Sequence, residues 1–305
     1  MRKSLNLVTA LLAIAMVAAT APSTAAELVR HTVDVEGHPV AVWQKSAEDA
    51  REAILLVHGR TWSAVPDFDL QVDGEELSLM DGLVDAGFAV YAVDMRGYGA
   101  TPRDETRWLT PNRAAADLAA VIQWIAAEEN WQKKPHLFGW SMGATNSLLM
   151  AQRHPGLISS LTLFGYWHDL DRDLPADEVG IEPQELANTA EAAASDFITP
   201  GSISRKAIDT YVTMALEADP IKTDLRHLDH YNALDPSNVA VPTLVIQGEH
   251  DPIAPTELQV KLYTRLGSGH KQWVTVPGSD HAAFLESPRS YFLHALASFL
   301  EGVPD

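Results

Sequence analysis

The sequence predicts an α/β fold: a mainly parallel sheet with helices on both faces and a helical cap inserted between two parts of the sheet domain. Three observations carry this. Short apolar runs alternate with amphipathic stretches of helical period along most of the 305 residues. A Gly-x-Ser-x-Gly pentapeptide, Gly139-Trp140-Ser141-Met142-Gly143, joins one such run to a helical stretch. From about Trp167 to Pro236 the alternation gives way to sequence rich in Asp, Glu and Ala.

The first 26 residues stand apart. Arg2 and Lys3 open a mostly apolar run from Leu5 to Ala19, and Ser23-Thr24-Ala25-Ala26 supplies small residues before Glu27. This is the pattern of a secretory signal peptide cleaved after Ala25 or Ala26, so the mature chain is expected in the periplasm or the medium. The run falls short of the roughly 20 apolar residues a membrane span needs. No later segment is apolar enough to insert.

Past the leader, His31–Val35 and Val40–Trp43 read as strands about a Glu36-Gly37 turn. Ala53-Ile54-Leu55-Leu56-Val57 is apolar throughout, as a strand buried on both faces must be. Glu75–Ala86 carries Leu77, Met80, Leu83 and Val84 at helical spacing and stops at Gly87. Phe88–Val93 is the next strand, and Asn112–Glu129 an amphipathic helix. His136–Gly139 is a short strand, Met142–His154 a helix closed by Pro155, and Leu157–Phe164 again a strand. Residues 27–166 thus form the first part of the sheet domain. Residues 167–238 form the cap, with three helices and no clear strand. In residues 239–305 the alternation resumes: Thr243–Gln247 strand, Pro255–Leu266 helix, Gln272–Val276 strand, Pro288–Leu300 helix.

Composition excludes several classes. With no cysteine there is no disulfide, no thiolate nucleophile and no thiolate metal site. The formal net charge is −19, and loss of Arg2 and Lys3 with an acid-free leader takes it to −21. Such a field repels nucleic acid and anionic membrane surfaces, so neither is expected as a partner.

The pentapeptide carries the chemistry. A strand-to-helix turn this sharp tolerates only small flanking residues and lifts a serine hydroxyl to the carboxyl end of the sheet. The following helix points its positive end at charge developing there. Serine attacks only when a base takes its proton and an acid orients the base. Asp251, in Gly248-Glu249-His250-Asp251-Pro252, and His281, in Pro277-Gly278-Ser279-Asp280-His281, follow later strands in the required order. Asp169 is the rival acid, and Asp280 reads as a turn residue. The oxyanion donors are the amides of Met142 and of Arg60, the latter in His58-Gly59-Arg60-Thr61-Trp62. The Arg60 side chain reads as a surface ion-pair partner. Trp62, Trp140, Tyr166 and Trp167 are candidate pocket residues. His227 and His230 lack a third ligand and read as a surface pair, not a metal site.

With Asp94-Met95-Arg96-Gly97-Tyr98-Gly99 added to these motifs, the chain resembles lid-bearing members of the α/β-hydrolase superfamily across about residues 30–300. The resemblance implies Ser141 as nucleophile, His281 as base and Asp251 as acid, with no cofactor or metal. The Asp94–Gly99 segment is then structural. Dehalogenases and epoxide hydrolases of this fold place Asp at the elbow, which Ser141 argues against. The expected activity is hydrolysis of a small or medium apolar or aromatic ester. A lactonase, carbon–carbon bond hydrolase, thioesterase, or aminopeptidase or amidase would use the same triad, and a non-catalytic binding protein is the reading from another class.

Overall fold

The computed structural model describes residues 26–50, 52–128 and 131–304. The expected signal peptide, apart from Ala26, lies outside the described residues.

The chain opens with the hairpin β1 (Val29–Val35) and β2 (His38–Lys45), followed by β3 (Glu52–Val57). Next come α1 (Ala64–Phe68), α2 (Leu79–Asp85), β4 (Phe88–Val93), β5 (Trp108–Leu109) and α3 (Pro111–Glu128). β6 (His136–Trp140), α4 (Met142–Arg153) and β7 (Leu161–Phe164) bring the chain to the sheet centre. The intervening stretch carries α5 (Ala190–Ala194), α6 (Arg205–Ala218) and β8 (Asp224–Leu225). β9 (Thr243–Gly248), α7 (Thr256–Arg265), β10 (Lys271–Val276) and α8 (Arg289–Glu301) complete it.

The main sheet has eight strands in the order β1-β2-β4-β3-β6-β7-β9-β10. Among the described residues of this sheet, only the β1–β2 and β2–β4 pairings are antiparallel. The fold is therefore the mainly parallel α/β-hydrolase sheet. The two faces of β3 explain why its sequence is apolar at every position after Glu52. Leu55 and Val57 join the core that also buries residues of α3 and α4, whereas Ile54 and Leu56 join the core built with α1, α2 and α8.

Several elements differ from the sequence reading. The helix expected from Glu75 begins at Leu79, because the Ser78 hydroxyl accepts the Asp81 amide and caps it there. The strand expected from Leu157 begins at Leu161; Ser159 N instead donates to Pro135 O at 3.1 Å, outside the ladder. Between β7 and β9 there are two α-helices. The third helical segment, Leu228–Ala233, is a 3-10 helix. The same stretch also holds a strand, β8, which pairs with β5.

One buried ion pair ties the sheet to the loop entering the site. Lys45 Nζ lies 2.7 Å from both Asp69 Oδ1 and Asp81 Oδ1, and Lys45 and Asp69 are buried. Removing one partner leaves an uncompensated charge inside. Lys45→Met should therefore destabilise the fold by about 3 kcal/mol, read as a lower denaturant midpoint. An unchanged midpoint would show that water reaches Asp69.

Candidate active site

Ser141 follows the last residue of β6 and is the residue immediately before α4, at φ 56° and ψ −117°. A non-glycine residue at positive φ is strained and persists only when its surroundings over-determine it. Two close approaches do so. A Cβ on Gly139 would fall 2.3 Å from Gly143 O, and one on Gly143 would fall 2.2 Å from Val57 O. No larger residue fits either position. The Ser141 amide donates to Phe164 O at 2.9 Å, which ties the turn to β7.

Asp251 and His281 come from the loops after β9 and β10, neighbouring parallel strands, so their side chains meet. His281 Nδ1 is 2.7 Å from Asp251 Oδ2. The other carboxylate oxygen, Oδ1, accepts the amides of Ile253 at 2.9 Å and Ala254 at 3.0 Å. Both residues are buried. A proton held on Nδ1 by the carboxylate leaves Nε2 as the basic nitrogen. Trp140 Nε1 donates to His281 O at 2.7 Å, so the elbow also holds the histidine loop. Trp140→Phe keeps most of the ring packing and loses this bond. It should lower kcat by about tenfold, a cost near 1.4 kcal/mol, with the thermal midpoint nearly unchanged; equal loss of both would mean a folding role alone.

The loop after β3 is fixed on all sides. His58, fully buried and pushed down to about 4 by desolvation, is a neutral imidazole. Its Nε2 accepts the Met95 amide at 3.1 Å and its Nδ1 lies 2.9 Å from Gly59 O. The Tyr98 hydroxyl donates to Arg60 O. Asp94 accepts from Ala64 N, Ala100 N and Trp43 Nε1, each at 2.9 Å, and burial raises it to about 6. The amide hydrogens of Arg60 and Met142 donate to no protein group among the described residues, and both residues line the same cavity as Ser141. The Arg60 side chain is exposed and makes no ion pair there, contrary to the expectation from sequence.

A cavity of about 340 Å³ opens on these groups. Ser141, Met142, Arg60 and His281 line it, with Trp62, Trp140 and Trp167. Leu225, Leu228 and Ile253 add apolar surface, and Asp67 and Asp196 add carboxyls. These last five were not anticipated from sequence; a buried Asp carries the same letter as a solvated one. Tyr166 is the correction among the pocket candidates. It is fully buried in the core with α3 and α4, its carbonyl accepts Gln259 Nε2 at 2.7 Å, and it does not line the cavity.

The remaining candidates fall outside the site. Asp169 pairs with Lys261 at 2.6 Å, which holds its carboxyl below the usual range; it does not meet His281. Asp280 is buried and accepts the Thr199 amide at 2.5 Å. His227 and His230 stack with ring centroids 5.4 Å apart, and no three-residue metal-binding group occurs among the described residues.

Comparison with known proteins bears on the family and the fold. The family described as serine aminopeptidase, S33, matches residues 48–288, which include every group above from Arg60 to His281. A pimeloyl-[acyl-carrier protein] methyl ester esterase of Neisseria meningitidis is 27% identical over 285 residues, spanning 85% of this chain and 96% of that one. The 2-hydroxy-6-oxo-6-(2'-aminophenyl)hexa-2,4-dienoic acid hydrolase of Metapseudomonas resinovorans is 25% identical over 70% of this chain and 74% of its own. In fold, a solved serine hydrolase involved in carbazole degradation superposes with a TM-score of 0.65 at 22% identity, covering 90% of this chain and 99% of that one.

Proposed function

The chain belongs to the serine aminopeptidase S33 family, a serine-hydrolase branch of the α/β-hydrolase superfamily, and we propose that it is an exported carboxylic ester hydrolase. Its substrate is a small or medium apolar or aromatic ester. The observation that carries this reading is the strained Ser141 sharing one cavity with a His281 that is hydrogen-bonded to Asp251. Export rests on the leader sequence of residues 1–26.

Ser141 Oγ attacks the ester carbonyl as His281 Nε2 takes its proton. Asp251 holds the Nδ1 hydrogen and stabilises the imidazolium. The Arg60 and Met142 amides receive the oxyanion, a contribution of several kcal/mol in such sites. His281 then protonates the departing alkoxide, leaving an acyl-enzyme. A water, deprotonated by His281, attacks that ester, and collapse returns the proton to Ser141 and frees the acid. The stretch 167–238 acts as a cap, since Trp167, Leu225 and Leu228 supply part of the cavity's apolar lining.

Profiling the protein against p-nitrophenyl esters, lactones, thioesters and aminoacyl-arylamides tests the assignment. Short and medium acyl esters should have the highest kcat/KM. Turnover of arylamides without turnover of simple esters would contradict it and make the chain an aminopeptidase.

A further inference from the structure

The cavity beside Ser141 has an acidic wall for which ester hydrolysis has no use. Asp67, on α1, and Asp196, just past α5, line it together with His281. Asp67 is fully buried. Its Oδ1 accepts the Tyr211 hydroxyl at 2.8 Å, while its Oδ2 is buried with no hydrogen-bond partner. Tyr211, buried on α6, also lies 3.4 Å from Asp196 Oδ2. One hydroxyl proton cannot serve two carboxylates. A buried carboxyl oxygen left unsatisfied is costly until a ligand completes it. Burial drives Asp67 well above the ordinary carboxylate range and Asp196 up to about 6. Asp196 is therefore ionised in mildly basic solution, and a cation at this wall would favour ionised Asp67 too. Asp219, whose carboxylate accepts the amides of Ser63 and Gly99, adds to the negative field on Asp67. Arg60 also lines the cavity, but it is exposed and screened by water, whereas Asp67 is buried and Asp196 half-buried, so their charges act through a lower dielectric.

We propose that Asp67 and Asp196, bridged by the Tyr211 hydroxyl, form a charge-selecting subsite on one side of the otherwise apolar cavity, which holds a positively charged group carried by the ester and rejects a carboxylate. It rests on the reading of Ser141 as the nucleophile facing this cavity.

Three alkyl fluorophosphonates of one chain length, ending in methyl, carboxylate or primary ammonium, test it on the full chain at about pH 8 in moderate salt. The rate of Ser141 labelling should be about tenfold lower for the carboxylate probe than for the methyl probe, and higher for the ammonium probe. In Asp196→Asn and in Asp67→Asn the spread between the charged probes should shrink about fivefold or more. Ratios within each variant cancel differences in active fraction. Asp209→Asn removes an equal charge from the exposed face of α6 and should keep the spread, which separates the wall from the field of the whole protein. On the unmutated chain, hexylammonium should slow labelling by the methyl probe and hexanoate should not. Equal rates for the three probes, a spread unmoved by either cavity variant, or protection by hexanoate instead of hexylammonium would overturn the subsite and leave the nucleophile standing. Failure of every probe to label Ser141 would overturn the underlying reading, and the subsite with it.

Discussion

Replacing Ser141 by Ala should lower kcat for ester hydrolysis by about 10,000-fold or more, with KM changed far less. The oxygen removed is the one that becomes bonded to substrate, so no neighbour can take its part. Ala is compatible with the elbow, whose shape is set by Gly139 and Gly143 against Gly143 O and Val57 O. The fold and the apolar lining should survive, and thermal unfolding should show a midpoint close to the parent's. The residual rate measures what the Arg60 and Met142 amides and substrate binding achieve alone. Retention of a tenth of the activity would mean that another group attacks.

Asp251→Asn should cost about 1,000- to 10,000-fold in kcat. Asn can still meet His281, but its amide nitrogen facing Nδ1 would favour the tautomer with the hydrogen on Nε2, the nitrogen that must accept the serine proton. It also removes the negative charge that stabilises the imidazolium. The comparison that gives this result meaning is Asp169→Asn. Asp169 follows β7 at the same edge of the sheet, yet its carboxyl is engaged by Lys261. That variant should stay within about twofold of the parent, the range of a surface substitution. Reversal of the two effects would move the acid to the end of β7.

The sheet was legible in the sequence because its signals are local. β3 after Glu52 and the whole of β4 are unbroken apolar runs, and the elbow combines two glycines with a strand before and a helix after. Ser141, Asp251 and His281 could be found because each lies just past a strand, and parallel strands place those ends together. What could not be read depends on contacts distant in sequence. Tyr166 looked like a pocket aromatic by its distance from the β7 end, but its side chain turns into the core. Asp67 and Asp196 face the cavity only because α6 brings Tyr211 between them, 144 and 15 residues away along the chain. The buried ion pair of Lys45 depends on Asp69 and Asp81, which lie 24 and 36 residues further along the chain. The stretch between β7 and β9 kept its helical character, yet its last helical segment is 3-10 and its β8 pairs with a strand more than a hundred residues earlier.

The most direct test of the account is to treat the native protein with an uncharged alkyl fluorophosphonate and map the adduct by peptide mass spectrometry. The modification should fall on Ser141, in step with loss of ester hydrolysis, and should be absent from Ser141→Ala. A fully active protein that resists the reagent, or an adduct on another residue that tracks the loss of activity, would contradict it.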